Sequence, residues 1–433
     1  MTFRYVGSVD GLQGEDAAEI LDRSGADLDD AMESLRALRA DVRARGDAAV
    51  LEAEARFGAS PRSIEVPRAE IEAAARRVPG VVRGALASAM ANLERFHRRQ
   101  LRRGEESEVV PGLLAGRRFL PVRRVGCYVP GGRAAYPSTV LMTTVPARVA
   151  GVDEVFVATP PGAGGVVPDV TLAACSIAGV DRVFAMGGAQ AIFALAHGTA
   201  TVPAVDKLVG PGSVWVTAAK LLVSGRVGID LPAGPSEVLV VADASADARA
   251  VAWDLLAQAE HDPLAAVALV TWDAALMDEV RRLVPEFVAA CPRKDIIAEA
   301  LRRRGALLLA PDRATALAFA DRYAPEHLVL ATASADKDLE AVRSYGSAFL
   351  GPWSAVTLGD YCSGTNHVLP TGGLARAGSG LAVDDFLRRS THQRATREGL
   401  VALAPVAIAL AETEGLPAHA EAVRVRLSAR GPR

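Results

Sequence analysis

The 433-residue chain is half hydrophobic, with aromatics at only 5%, Gly at 39 and Pro at 25 positions. That length and composition imply two or more domains with substantial cores, of an Ala/Val/Leu-rich α/β kind. A net charge of −3 gives no global field for nucleic acid or an anionic membrane, and neither is an expected partner.

The N-terminus, Met-Thr-Phe-Arg-Tyr-Val-Gly-Ser, has no apolar signal core. The longest apolar run, near residues 400–410, is too short to span a bilayer and is broken by Pro405. Cys127, Cys175, Cys291 and Cys362 form no CxxC and fit reduced thiols, so a cytoplasmic location is expected.

Residues 1–25 are short, mixed and Gly-punctuated, and read as an arm. Apolar positions recur at helical spacing from Leu28 to Arg56, and Pro67–Val78 and Gly80–Leu101 read as two more helices. The basic run 94–103, followed at once by Glu105, Glu106 and Glu108, reads as a solvated helix face, with His97 on it. Leu113–Leu120 is strand-like. From Val122 strands end in Gly-rich turns: Arg124–Tyr128 before Pro130-Gly131-Gly132, Val152–Thr159, Val183–Met186 before Gly187-Gly188, and Lys207–Val209 before Gly210-Pro211-Gly212. Alternation with helices predicts a compact βα unit with a parallel sheet, whose ligands bind outside the carboxyl ends of the strands. A second α/β unit follows Leu231, with strands at 237–242 and 265–271 around a helix at 246–260 that has Ser245 as its expected N-cap. Beyond Leu381 the sequence reads as helical.

Four clusters can carry chemistry. Gln258 and His261, three apart, project from one face of a helix's last turn and can hold two positions on a metal ion. A His at that place equally complements the helix dipole. Asp360, near His367 on a glycine-broken loop, can complete the donor set or simply form a turn. Glu326-His327, between a helix and a strand, offers a general base and a carboxylate to activate water, although such a dipeptide is common. Glu414 and His419 lie in a Gly/Pro-punctuated stretch near the C-terminus. There is no strand-GxGxxG-helix fingerprint. Gly187-Gly188-Ala189-Gln190 opens a helix whose N–H groups can receive a pyrophosphate, but a tight βα turn needs glycine anyway.

Together these stretches resemble the histidinol dehydrogenase family over nearly the whole chain. The motifs that carry the resemblance are Tyr128-Val129-Pro130-Gly131-Gly132-Arg133-Ala134-Ala135-Tyr136-Pro137-Ser138, Gly187-Gly188-Ala189-Gln190-Ala191, Gly234-Pro235-Ser236-Glu237, Ala257-Gln258-Ala259-Glu260-His261-Asp262-Pro263, Ala324-Pro325-Glu326-His327-Leu328, Gly359-Asp360-Tyr361, Asn366-His367-Val368-Leu369-Pro370-Thr371 and Glu414-Gly415-Leu416. The resemblance implies NAD-dependent oxidation of L-histidinol through the aldehyde to L-histidine, with one zinc per subunit. It implies zinc ligands Gln258, His261, Asp360 and His419, a base His327, and Glu326 as the activator of water. Substrate contacts would be Ser236, Gln258, His261, His327, Asp360, His367, Glu414 and His419, and NAD contacts Tyr128, Gln190 and Ser213. Ser213 stands where the family usually has Asn, as does Thr143, and Thr365 replaces a usual Pro.

The implied fold is two incomplete Rossmann-like α/β domains with parallel sheets, plus small N- and C-terminal helical extensions. Residues 1–25 would be the arm and 26–121 with 233–380 a first, discontinuous domain carrying metal and catalytic residues. Residues 122–232 would form the NAD-side domain, and 381–433 a helical dimerisation element completing the site of the partner in a homodimer. The competing readings are a same-fold enzyme for another amino alcohol or (sulfo)diol, and a zinc hydrolase.

Overall fold

The central strands are continuous runs of Val, Leu and Ala, as expected where helices cover both faces of a parallel sheet. Glu237–Ala242 and Ala266–Thr271 are buried at every position. The computed structural model describes residues 3–23, 28–58, 60–131, 135–232 and 234–428. Among them two six-stranded sheets and one three-stranded sheet form the framework.

The first sheet is all parallel, in the order Tyr5–Ser8, Gly305–Leu309, Ala266–Thr271, Glu237–Ala242, His327–Ala331, Ser347–Leu350. The second runs Glu65–Val66, Arg182–Ala185, Glu154–Thr159, Arg124–Tyr128, Lys207–Val209, Gly228–Ile229, parallel except for the short first strand. This is the expected mixed α/β architecture with parallel sheets. No helix of the described residues is long and apolar enough to cross a membrane.

Several expectations from sequence change. The N-terminal arm is part of the first sheet: Tyr5–Ser8 pairs with Gly305–Leu309 as an edge strand, and Gly14–Leu21 is a helix. The helical stretch 28–56 is two helices, Leu28–Arg45 and Asp47–Arg56, parted at Gly46, whose φ of 55° suits glycine. These helices, grouped by sequence with 233–380, bury Ala31, Leu35, Val42 and Val50 against Phe193 and Val216 over the second sheet. Ile71, Leu86 and Leu93 likewise join Val125 and Val155 of that sheet. Apolar periodicity shows that a helix has a buried face, but not which sheet receives it.

The stretch after Leu381 is not wholly helical either. Leu387–Ala395 is a nine-residue strand at the edge of a three-stranded antiparallel sheet with Leu113–Pro121 and Glu105–Val110. Its sequence, Leu-Arg-Arg-Ser-Thr-His-Gln-Arg-Ala, lacks an apolar alternation because both faces are largely exposed. His97 is fully buried, not on the solvated face, and its Nδ1 bonds the Leu93 carbonyl at 2.9 Å. Asp247, not Ser245, caps the Ala248–Ala259 helix by accepting from Arg249 N. Residues 132–134 of the first Gly-rich turn lie outside the described residues.

Candidate functional site

The acid–base cluster gathers at the amino ends of the first sheet. His327 is the first residue of its strand and pairs with Val238, so the adjacent Glu237 lies beside it. His327 Nδ1 donates to the Glu237 carbonyl at 2.9 Å, which leaves Nε2 as the working nitrogen. That Nε2 faces Asp360 Oδ1 at 3.4 Å. Glu326, also buried, accepts the Glu237 N–H on Oε2 at 2.7 Å and approaches His327 Nδ1 at 3.4 Å.

Gln258 and His261 arrive from the end of the Ala248–Ala259 helix, just ahead of the Ala266–Thr271 strand. Asp360 belongs to the short helix Val356–Tyr361. His367, on the following loop, donates from Nδ1 to the Asp360 carbonyl at 2.8 Å and so accepts the Thr139 hydroxyl on Nε2 at 3.1 Å. Asn366 donates to the Met142 carbonyl at 2.7 Å. The loop thereby fastens the cluster to the Pro137–Ala150 helix, which follows a strand of the second sheet.

Burial lowers the pKa of His261, although the Asp360 charge opposes it, and burial likewise keeps His367 neutral. For Asp360, burial favours the acid, but the His327 hydrogen bond and the nearby imidazoles hold it below the usual carboxylate range. Burial also works against a charge on His327, yet Glu326 and Asp360 outweigh it and hold the imidazole well above its ordinary value. Burial raises Glu326. The cluster therefore offers a neutral imidazole, an ionised carboxylate and the buried Gln258 amide, which no described residue bonds. These donor types suit zinc. Among the described residues no three His, Cys, Asp or Glu side chains make a metal centre by themselves. The family resemblance implies a further donor at His419.

Glu414 and His419 do not supply it here. They are exposed, at and beyond the end of the Arg397–Thr413 helix, which packs against Pro417–Ser428. No hydrogen bond or ion pair joins them to the cluster among the described residues. Ser236 lies half-buried just before Glu237, with its carbonyl accepting from Ala266 N at 3.0 Å.

A second cluster lies at the carboxyl ends of the second sheet. Tyr128 ends its strand, and its hydroxyl accepts the Gly188 N–H at 3.0 Å; burial pushes that phenol up to about 12. Gly187 N–H goes instead to Glu54 Oε1 at 2.7 Å, and the same oxygen accepts from Gln190 Nε2 at 2.8 Å. The Gly187 and Gly188 N–H groups, open by sequence to a pyrophosphate or to a plain tight turn, are thus already taken by a carboxylate and a phenol of the protein. Gly210 N–H is similarly taken by Asp230 Oδ2 at 2.6 Å, and Asp230 is ion-paired with buried Lys220. Ser213, exposed at the start of the Val214–Val223 helix, makes no side-chain cap.

Three participants carry no sequence signal of their own. Glu54 reads as one more acid on an amphipathic helix, and Arg23 as part of an arm. Glu237 closes the Gly234-Pro235-Ser236-Glu237 stretch, where nothing in the sequence marks it for a role. Arg23, with its side chain fully buried, lies over the Tyr323 ring at 3.4 Å and donates to the Tyr323 carbonyl at 2.7 Å. Its Nε is 3.1 Å from Glu237 Oε1, at an angle outside a hydrogen bond, while that oxygen accepts the Gly372 N–H at 2.6 Å. A buried charge pair thus underlies the backbone that grips Glu326 and His327.

The histidinol dehydrogenase family model matches residues 21–427. A histidinol dehydrogenase of Methanothermobacter thermautotrophicus is 49% identical over 411 residues, covering 95% of this chain and 96% of that protein. One of Methanosarcina barkeri is 46% identical, with 93% of each chain covered. The crystal structure of histidinol dehydrogenase from Elizabethkingia anophelis matches with a TM-score of 0.90 at 35% identity, covering 99% of this chain and 98% of that one. With residues 21–427 matched and its acid–base residues brought together, the chain belongs to the histidinol dehydrogenase family of oxidoreductases.

Proposed function

We propose that the chain oxidises L-histidinol through L-histidinal to L-histidine, the closing steps of histidine biosynthesis, as a cytoplasmic zinc- and NAD-dependent homodimer. The observation that carries this is the pairing of His327 Nε2 with Asp360 beside Gln258 and His261. Gln258, His261 and Asp360 would hold zinc, with His419 of the second subunit as fourth ligand. When bound, zinc grips and orients an amino alcohol bearing an imidazole, and NAD takes up hydride.

His327 accepts the alcohol proton at Nε2, the nitrogen left free by the Glu237 carbonyl. Were Asp360 engaged as a ligand, one of the two carboxylates that raise His327 would be drawn away from it. Glu326 Oε2 accepts the Glu237 N–H and stands 3.4 Å from His327 Nδ1, and its other oxygen is the one able to take a proton from water adding to the aldehyde. A carboxylate raised by burial is a stronger base for that task. Ser236, His367 and Glu414 would line the substrate, and Tyr128, Gln190 and Ser213 the cofactor.

The experiment is NADH formation with L-histidinol before and after chelation. Oxidation of an alcohol to an acid removes two hydrides, so two NADH per histidinol are expected, lost with zinc and restored with it. Activity only on another amino alcohol or diol would replace the substrate, and no NADH from any alcohol would overturn the reading.

A further inference from the structure

Glu54 sits at the N-terminus of the ten-residue Gly188–His197 helix, where one of its oxygens, Oε1, receives two N–H donors. An oxygen already accepting from Gly187 N can meet only the donor end of the Gln190 amide, which fixes that amide's orientation. The carbonyl end must therefore point away from Glu54. Gln190 is 2% exposed, and its Oε1 is buried without a hydrogen-bond partner. It lies against Gly188, where an added Cβ would stand only 2.9 Å from it.

The Tyr128 hydroxyl meets the same glycine from the other side. It accepts the Gly188 N–H, so its own proton remains available, and no described residue receives it. Around Gly188 there thus remain one spare acceptor and one spare donor, beside a buried carboxylate. A phosphate has only acceptors at neutral pH and would face Glu54. A hydroxyl supplies both a donor and an acceptor.

We propose that Glu54 is a positioning residue that locks Gln190 as an acceptor, so that Gln190 and Tyr128 together take a ribose hydroxyl of the cofactor and not its phosphates. This rests on the reading that NAD binds at Tyr128 and Gln190. Leaving the buried Gln190 carbonyl unpaired makes absence of the hydroxyl costly, because a site built around a hydroxyl strongly rejects the analogue lacking it.

The test is equilibrium binding, by calorimetry, of NADH and its mono-deoxy analogues, each lacking one ribose hydroxyl. The intact protein should bind one analogue, or a neighbouring pair, roughly tenfold or more weakly than NADH. Glu54→Leu and Gln190→Leu should bring that ratio close to one, while Glu54→Gln, whose carbonyl can accept both N–H groups, should keep it. If Glu54→Leu does not fold, Glu54→Asp, one methylene shorter, should lower the ratio instead. A folded Glu54→Leu or Glu54→Asp protein that keeps the full ratio would remove Glu54 from the assignment. Equal binding of all analogues, with NADH still weakened by Gln190→Leu, would overturn the hydroxyl while leaving the cofactor site in place. NADH affinity unmoved by both Tyr128→Phe and Gln190→Leu would instead overturn the cofactor site itself.

Discussion

His327 Nε2 and Asp360 Oδ1 face one another at 3.4 Å, so the proposed base and a proposed zinc ligand look into one space. The opposite ring nitrogen is held by the Glu237 carbonyl at 2.9 Å, and the ring cannot turn without breaking that bond. His327→Asn should lower kcat about 10²–10⁴-fold at neutral pH, the usual range for a lost general base. Zinc, measured by atomic emission, should stay near about one per chain. Loss of metal in step with activity would make His327 a ligand.

Val401, Val406 and Leu410 on the Arg397–Thr413 helix, and Leu416 and Val425 beyond it, are exposed apolar side chains in the same C-terminal segment as Glu414 and His419. A second copy is the proposed cover. Chains with His261→Asn and with His419→Asn, each inactive alone, should recover activity when refolded together. Mixed dimers place both lesions in one site and leave the other intact. No recovery at any mixing ratio would count against the shared site.

Arg23→Met should destabilise the protein by about 3–5 kcal/mol in urea unfolding, because Glu237 then stays buried without its counter-charge. Arg23→Met with Glu237→Met should recover part of that loss, since apolar replacement removes the isolated charge. An equal or larger loss in the double variant would mean that the Gly372 N–H bond to Glu237, not the ion pair, is what matters.

Burial pushes the Cys127 thiol up to about 12 and raises Cys175 as well. The thiolate is the reacting form, so near about pH 8 neither should react in the native protein. Exposed Cys362 should label first and half-buried Cys291, also raised by burial, more slowly. Fast labelling of Cys127 or Cys175 in the folded state would contradict the burial of the second sheet's core. Cys127 is thereby a packing residue despite its place beside Tyr128.

Parallel strands and the helices between them were legible because their apolar runs and glycine turns follow local rules. So were Gln258, His261, Glu326, His327 and Asp360, as unusual side chains at helix ends and loops. What escaped depends on distant partners. Nothing near Glu54 in sequence announces that Gly187 and Gln190, more than a hundred positions on, will share its oxygen. Nor does the polar 387–395 stretch announce a strand, since its pairing with 113–121 comes from main-chain groups that every residue carries. His97 lay in a basic run, and only folding shows that the ring turns inward.

The two clusters occupy opposite strand ends: His327 opens its strand in the first sheet, while Tyr128 closes one in the second. The bonds of Asn366 to Met142 and His367 to Thr139 tie these ends together at the amino-terminal part of one helix. On the proposed reading, two cofactor molecules must be used in turn while a reactive aldehyde waits. Because that tie runs through Asn366 and His367 and not through the glycine turns, a carrier bound at those turns could be exchanged without breaking it.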